Sequence, residues 1–255
     1  MSGRRTILGL SLLCALFVCA ISAASASAVG TTAFTCVQGP TPQFVDEHCT
    51  SEGPGTKKFE HVEIAVGTTT EITATNDTTG TTDPVVIHSI LGGVEFTIDA
   101  NKVHLTGSCK NETVGEVMQN HCKDVVIAFS ELSVTPAALK CSVLAGEIKT
   151  NKITTVTREE GGTKGAGVNH VPEGAGTPFA EFKIGGAECK LGKEFTIKLA
   201  GNFVGVPSGA TVQYTEKSTK GEGAEGLFIG KSPASLTGVL TERMLGGNPT
   251  SLTTK

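Results

Sequence analysis

Along most of this chain apolar and polar residues alternate with a period of two. In Val94-Glu95-Phe96-Thr97-Ile98-Asp99 the apolar side chains Val94, Phe96 and Ile98 share one face, and Val103 and Leu105 resume the beat after Ala100-Asn101. A period of two is the signature of a strand with one buried face. The stretch EFTIDANKVHLTG returns in altered form as EFTIKLAGNFVG, where Phe195, Ile197 and Leu199 form the apolar set. The outward residues differ in sign, Asp99 against Lys198, so the copies share a core face and not a solvent face. That pattern describes a building element used twice, compatible with a distant internal duplication. A repeated binding site would preserve the solvent face instead.

The same alternation predicts strands at 61–66 and 69–74, joined as a hairpin across Gly67-Thr68. Further strands are expected at 85–91, 123–129, 132–134, 140–145, 152–157, 180–184, 211–215, 226–229 and 235–243. Polar, Gly/Thr-rich segments at 76–83, 158–178 and 216–225 read as loops, the second being the longest and expected to be mobile. Many short strands separated by turn signals, without a sustained 3.6-residue period, predict an all-β fold. The expected architecture is an antiparallel β-sandwich, jelly-roll or Ig-like in style, formed as a single domain over 29–255.

Composition adds a compartment. Residues 1–28 place Arg4-Arg5 before an apolar run from Ile7 to Ile21 and end in Ala26-Ser27-Ala28, the order of a secretory signal peptide. Cys14 and Cys19 follow Leu13 and Val18, where a lipoprotein anchor needs a small residue, and Arg4-Arg5 is ordinary signal charge rather than a twin-arginine motif. Removing this segment leaves 19 basic and 25 acidic residues, a net charge of about −6. A mildly acidic chain with no basic cluster is poorly suited to nucleic acid or anionic lipid, and no later apolar run is long enough for a membrane span.

Six cysteines remain, Cys36, Cys49, Cys109, Cys122, Cys141 and Cys189, an even number that reads as a disulfide framework in an exported chain. Cys36–Cys49 is the expected first pair, closing a loop-like segment. For the other four, Cys109–Cys122 with Cys141–Cys189 stands against Cys109–Cys189 with Cys122–Cys141.

Each stretch that resembles a catalytic or cofactor signature has a structural alternative. Gly221-Glu222-Gly223-Ala224-Glu225-Gly226 matches G-x-G-x-x-G, but the following Leu227-Phe228-Ile229 reads as a strand where a dinucleotide site needs a helix, and two glutamates would repel phosphate. His48-Cys49 and His121-Cys122 lack the paired spacing of zinc ligands, so no metal or cofactor is expected. Neither a G-x-S-x-G elbow nor H-E-x-x-H occurs, and no catalytic residue is assigned. With no Trp and a single Tyr214, an aromatic platform for sugars is hard to build.

The stretches AFTCVQG, HVEIAVGTTTEITATN, CKLGKEFTIKLAG, SLTGVLTERM and GGNPTSLTT resemble a group of secreted Thr/Gly-rich, cysteine-containing β proteins of soil actinobacteria, a family without an assigned activity. The resemblance implies export, a β fold and cysteine pairs. In that group a cysteine stands near the position of Leu132, related to the one at Cys141; this chain has Cys122 instead, so that bridge does not transfer. Together these readings predict a non-enzymatic structural or interaction protein, extracellular or loosely bound at the cell surface. Its partner there would be extracellular. The alternative is a secreted hydrolase or a small-ligand or glycan-binding protein.

Overall fold

The computed structural model describes residues 31–254 apart from 48, 50, 79, 80, 116, 159–166 and 245–249. The expected signal peptide, His48 and the middle of the expected 158–178 loop lie outside the described residues. The fold is all-β, antiparallel and sandwich-like, as the alternation predicts.

The N-terminal part contributes β1 (Thr31–Gln38) and β2 (Phe59–Glu63). There follow β3 (Thr70–Thr75), the short β4 (Asp77–Thr78) and β5 (Thr81–Thr82), β6 (Val85–Leu91), β7 (Val94–Val114) and β8 (Val117–Thr135). After them come β9 (Ser142–Val143), β10 (Glu147–Lys149) and β11 (Ile153–Arg158). The second half contains β12 (Gly167–Pro172), β13 (Ala180–Gly185), β14 (Glu194–Gly201), β15 (Phe203–Ser208) and β16 (Thr211–Tyr214). A one-turn helix α1 (Glu216–Thr219), then β17 (Leu227–Ile229), β18 (Ser232–Met244) and β19 (Thr250–Thr254) complete it.

The ladders close on themselves twice. One circuit runs from the first half of β7 through β6, β18, β17, β14 and β13, across the Thr150–Ala180 bridge to β10, and back through β8. The other runs from the second half of β7 through β3, β18, β16, β15, β12 and β11 to β8. The long strands β7, β8 and β18 take part in both, and every pairing in the two circuits is antiparallel. Closure leaves neither ring a free edge. Their interior is one continuous apolar cluster in which Phe96, Ile98, Phe129, Ile153, Phe179, Ile184, Leu199 and Phe203 are fully buried.

The order of elements reveals an internal two-fold relation. The series β3, β6, β7, β8, β10/β11 matches β12, β13, β14/β15, β16/β17, β18 in chain order and in pairing. Thus β6–β7 corresponds to β13–β14, β3–β7 to β12–β15, and the closing contact β18–β3 to β11–β12. The two EFTI segments fall on β7 and β14, opposite walls of the first ring, with Phe96, Ile98 and Ile197 pointing into it. The repeated sequence is therefore a repeated wall.

Several expectations are corrected. The 61–66 and 69–74 segments do not form a hairpin: β2 pairs with β1, whereas β3 pairs with β7 and β18. The turn there is real, with Gly67 at φ +79, but Gly67 donates to the Asn111 carbonyl and the chain passes from the terminal layer into the ring. Within the expected long loop, residues 167–172 form β12, which pairs with β11 and β15. Its glycine-rich flanks hid a strand whose partners are remote. The 140–145 segment shortens to β9, and the 216–225 segment carries α1, capped by the Thr215 hydroxyl accepting from the Ser218 amide. Strands β1, β10, β15 and β19 are absent from the expected set, and the expected 76–83 loop carries the short β4 and β5.

The six cysteines form Cys36–Cys49, Cys109–Cys122 and Cys141–Cys189, which decides between the open pairings. Cys109 and Cys122 lie directly opposite on β7 and β8, while Cys141–Cys189 ties the β8–β9 connection to the β13–β14 turn and so joins the two repeats.

Candidate functional site

Two places combine polar chemistry with shape. The first is sealed inside the second ring. His170 on β12 stacks on Phe203, with ring centroids 4.6 Å apart and planes within 7°, and meets Tyr214 edge-on. Its Nδ1 lies 3.0 Å from the Val168 carbonyl and must carry the proton there, since a carbonyl only accepts. Nε2 is then the acceptor for the Tyr214 hydroxyl at 3.2 Å. Burial pulls the imidazole down from 6.5 to about 4, against the smaller opposing effect of hydrogen bonds at the Val168 and Phe203 backbones. Burial first, and the charge of Glu242 second, push the Tyr214 phenol well above its usual value. The ring wall makes room through Gly205, where a Cβ would stand 2.4 Å from Val212 Cγ1 and 2.8 Å from Tyr214 Cε1. A cavity of about 20 Å³ remains beside these rings, bordered by Asn120, Thr155 and Glu242, which is room for about one water. Here the perturbed groups serve packing and polar satisfaction.

The second place is a groove of about 680 Å³ on the outer face at the waist between the rings, within the size range of small-ligand sites. The shape follows from the backbone. At Asn101 and Lys102 two consecutive side chains point outward, shifting the alternation of β7 as it passes from one ring to the other. Asn76 fixes that junction: its Nδ2 donates to the Asp83 and Asn101 carbonyls at 3.1 and 3.0 Å, and its Oδ1 accepts from the Val103 amide at 2.9 Å. On β8, Asp124 and Glu131 adopt φ of 54° and 53°, the left-handed region that costs a non-glycine residue about 1–3 kcal/mol. These two bends bracket Val126, Ala128 and Ser130, the short side chains of the groove floor. On one side stand Lys102, His104 and Thr106 of β7 with Thr75 of β3; on the other, Glu147 and Lys149 of β10.

The cross-strand register orders these groups. His104 is opposite Ala128, which is opposite Lys149; Lys102 is opposite Ser130, which is opposite Glu147. Lys102 pairs with Glu131 at 2.7 Å and Lys149 with Glu147 at 2.9 Å. The hydrogen bond to Glu131 holds the Lys102 ammonium above its usual pKa, so it is charged at any physiological pH. His104 Nδ1 lies 3.4 Å from the Thr73 hydroxyl.

The other histidines are dispersed. His61 packs against Phe34 and Phe44 and is lowered by burial, His88 contacts Glu95 at 2.8 Å, and His121 contacts Glu112 at 2.5 Å. Among the described residues no three His, Cys, Asp or Glu side chains gather as a metal cluster. The G-x-G-x-x-G stretch is a tight turn in which Glu222 and Glu225 bridge, and it leads into β17 rather than a helix. Of the groove residues the sequence marks only Val103, and that as a core-facing residue, not as part of a site. The available signal was Ala128, a small residue at an outward position between longer side chains, which is informative only once β7 and β10 are known to flank it. No protein-family model, curated protein or solved structure matches this chain.

Proposed function

We propose that this chain is a non-catalytic extracellular interaction protein whose contact surface is the waist groove. The observation that carries this reading is a groove bordered by charged, imidazole and hydroxyl side chains on a closed, doubly ringed β scaffold, its rim fixed by Asn76 and its floor by two bends of β8. Such a scaffold presents side chains in fixed positions, which lowers the ordering cost of binding. Three disulfides suit an oxidising compartment, in agreement with the signal-like N-terminus. His170 and Tyr214, the groups whose acidity is most perturbed, face the interior and not the groove.

The test is fractionation of a producing culture into medium, mild surface wash and cell lysate, with the redox state of the cysteines trapped by alkylation. The expected result is an oxidised mature chain, beginning near Val29, in the medium or the surface wash. Accumulation of reduced, uncleaved chain in the lysate overturns the reading.

The dimensions of the groove favour ligand binding over a purely structural role, because a flat adhesive face has no need of a recess walled by Lys102, His104, Glu147 and Lys149.

A further inference from the structure

The groove residues also indicate what class of ligand it takes, an inference that rests on the binding reading above. Ala128 is flanked directly by His104 and Lys149, with Lys102 one step along the same ridge as His104. Neighbouring strands are about 4.8 Å apart, so the roots of His104 and Lys149 stand about 10 Å from each other across a methyl group. That gap admits one six-membered ring with nitrogen donors on both sides. The Thr75, Thr106 and Ser130 hydroxyls border the same recess, and each can both donate and accept. Each lysine spends one N–H on its carboxylate partner, Glu131 or Glu147, and keeps two for a ligand. The salt bridges therefore leave both ammonium groups with donors to spare.

Two ligand classes fit less well. A peptide anchors through apolar side chains in pockets, and the apolar side chains along the groove are the small Val103, Val126 and Ala128. A neutral sugar binds largely by stacking on Trp or Tyr, but the chain has no Trp and its one Tyr is Tyr214, buried inside the second ring. What the groove has in place of a platform is an imidazole and two lysine ammonium groups, each with one carboxylate neighbour, beside hydroxyls. We propose that it binds an acidic oligosaccharide, with a sugar carboxylate over Ala128 between Lys149, His104 and Lys102 and ring hydroxyls on Thr75, Thr106 and Ser130. Binding is non-covalent, and charge-assisted hydrogen bonds supply most of the affinity.

The test is calorimetric titration of the oxidised protein with a galacturonate tetramer and with its fully methyl-esterified form. The acid is expected to bind and the ester to bind about tenfold or more weakly, the loss expected when one charge-assisted hydrogen bond goes. Lys149→Ala and Lys102→Ala should each weaken acid binding by about tenfold, and the double variant should abolish it. Ala128→Phe fills the recess without changing charge and should also abolish binding. Unchanged circular dichroism and melting temperature verify that each variant is folded. Equal binding of acid and ester overturns the acidic assignment but leaves a groove that binds sugars. Binding that survives both Ala128→Phe and the double lysine variant overturns the groove as its location. No binding to either tetramer overturns the proposal, while the culture fractionation separately decides whether the chain is an extracellular interaction protein.

Discussion

The buried His170–Tyr214 pair predicts a specific dependence of stability on pH. In the folded protein the imidazole titrates at about 4, whereas in the unfolded chain it returns to about 6.5. Between those values the unfolded state holds more protons, so stability rises with pH there. The contribution is fully present above pH 6.5 and is lost as pH falls through 4. The 2.5-unit difference, at 1.36 kcal/mol per unit, is worth about 3 kcal/mol, of which about 2 kcal/mol should be gone by pH 5. Glu112 and Glu216, both lowered by partners that stabilise their charged forms, weaken the fold in the same direction but only below about pH 4.5 to 5. The window from pH 8 to 5 therefore excludes these carboxylates; His61, also lowered by burial, acts there in the same direction, and comparison with a variant that keeps His61 removes its contribution. The assay is urea unfolding with disulfides intact at half-unit pH steps, comparing the native sequence with His170→Phe/Tyr214→Phe. The double change removes both ends of the buried hydrogen bond, keeping a ring at each site and Glu242 in place. Its offset at pH 8 reflects the Val168 carbonyl that loses a donor, so the slope is the readout. The native protein should lose about 2 kcal/mol more than the variant between pH 8 and 5. Equal losses would refute the assignment of a neutral, buried His170.

Other elements of the structure predict as follows. Gly205→Ala places a methyl inside van der Waals contact of Val212 and Tyr214, and chemical denaturation should show a loss of about 1–3 kcal/mol. Asn111, fully buried, accepts from the Ala33 amide and donates to the Ala33 and Ile64 carbonyls at 2.8–2.9 Å, so Asn111→Leu should release the terminal layer. Hydrogen exchange should then accelerate in β1 and β2 well before the rings; uniform acceleration would contradict this division. In the chain-entropy account, the loop closed by Cys141–Cys189 spans 48 residues and those closed by Cys36–Cys49 and Cys109–Cys122 span 13. Replacing the first pair by serines should therefore cost about 1 kcal/mol more than replacing either of the others, measured by denaturant midpoint.

Alternation along single strands is enough to assign most of the core-facing residues of the ring walls. The alternation in 94–99 and 194–199 assigns Val94, Phe96, Ile98, Phe195, Ile197 and Leu199 to the interior; Phe96, Ile98, Ile197 and Leu199 are buried, Phe195 is half-buried against the core, and Val94, at the start of β7, is exposed. It also identified the EFTI repeat as architecture, because a period of two is a property of single strands and is local to them. Strand pairing, by contrast, is a property of the assembled fold. Nothing local tells β3 to join β7 and β18 instead of β2, since ladder partners are chosen by which apolar faces can close one interior. For the same reason β12 was hidden in a glycine-rich segment whose partners are β11 and β15. The candidate site was less legible still. Lys102, His104, Ala128 and Lys149 are spread over nearly fifty positions of chain and look like ordinary outward residues. They become a groove because β7, β8 and β10 are adjacent, and because bends at Asp124 and Glu131 shape the outer surface where two rings meet. Burial pattern is written residue by residue, but a site on the outside of a sheet exists only when separate strands are brought into register.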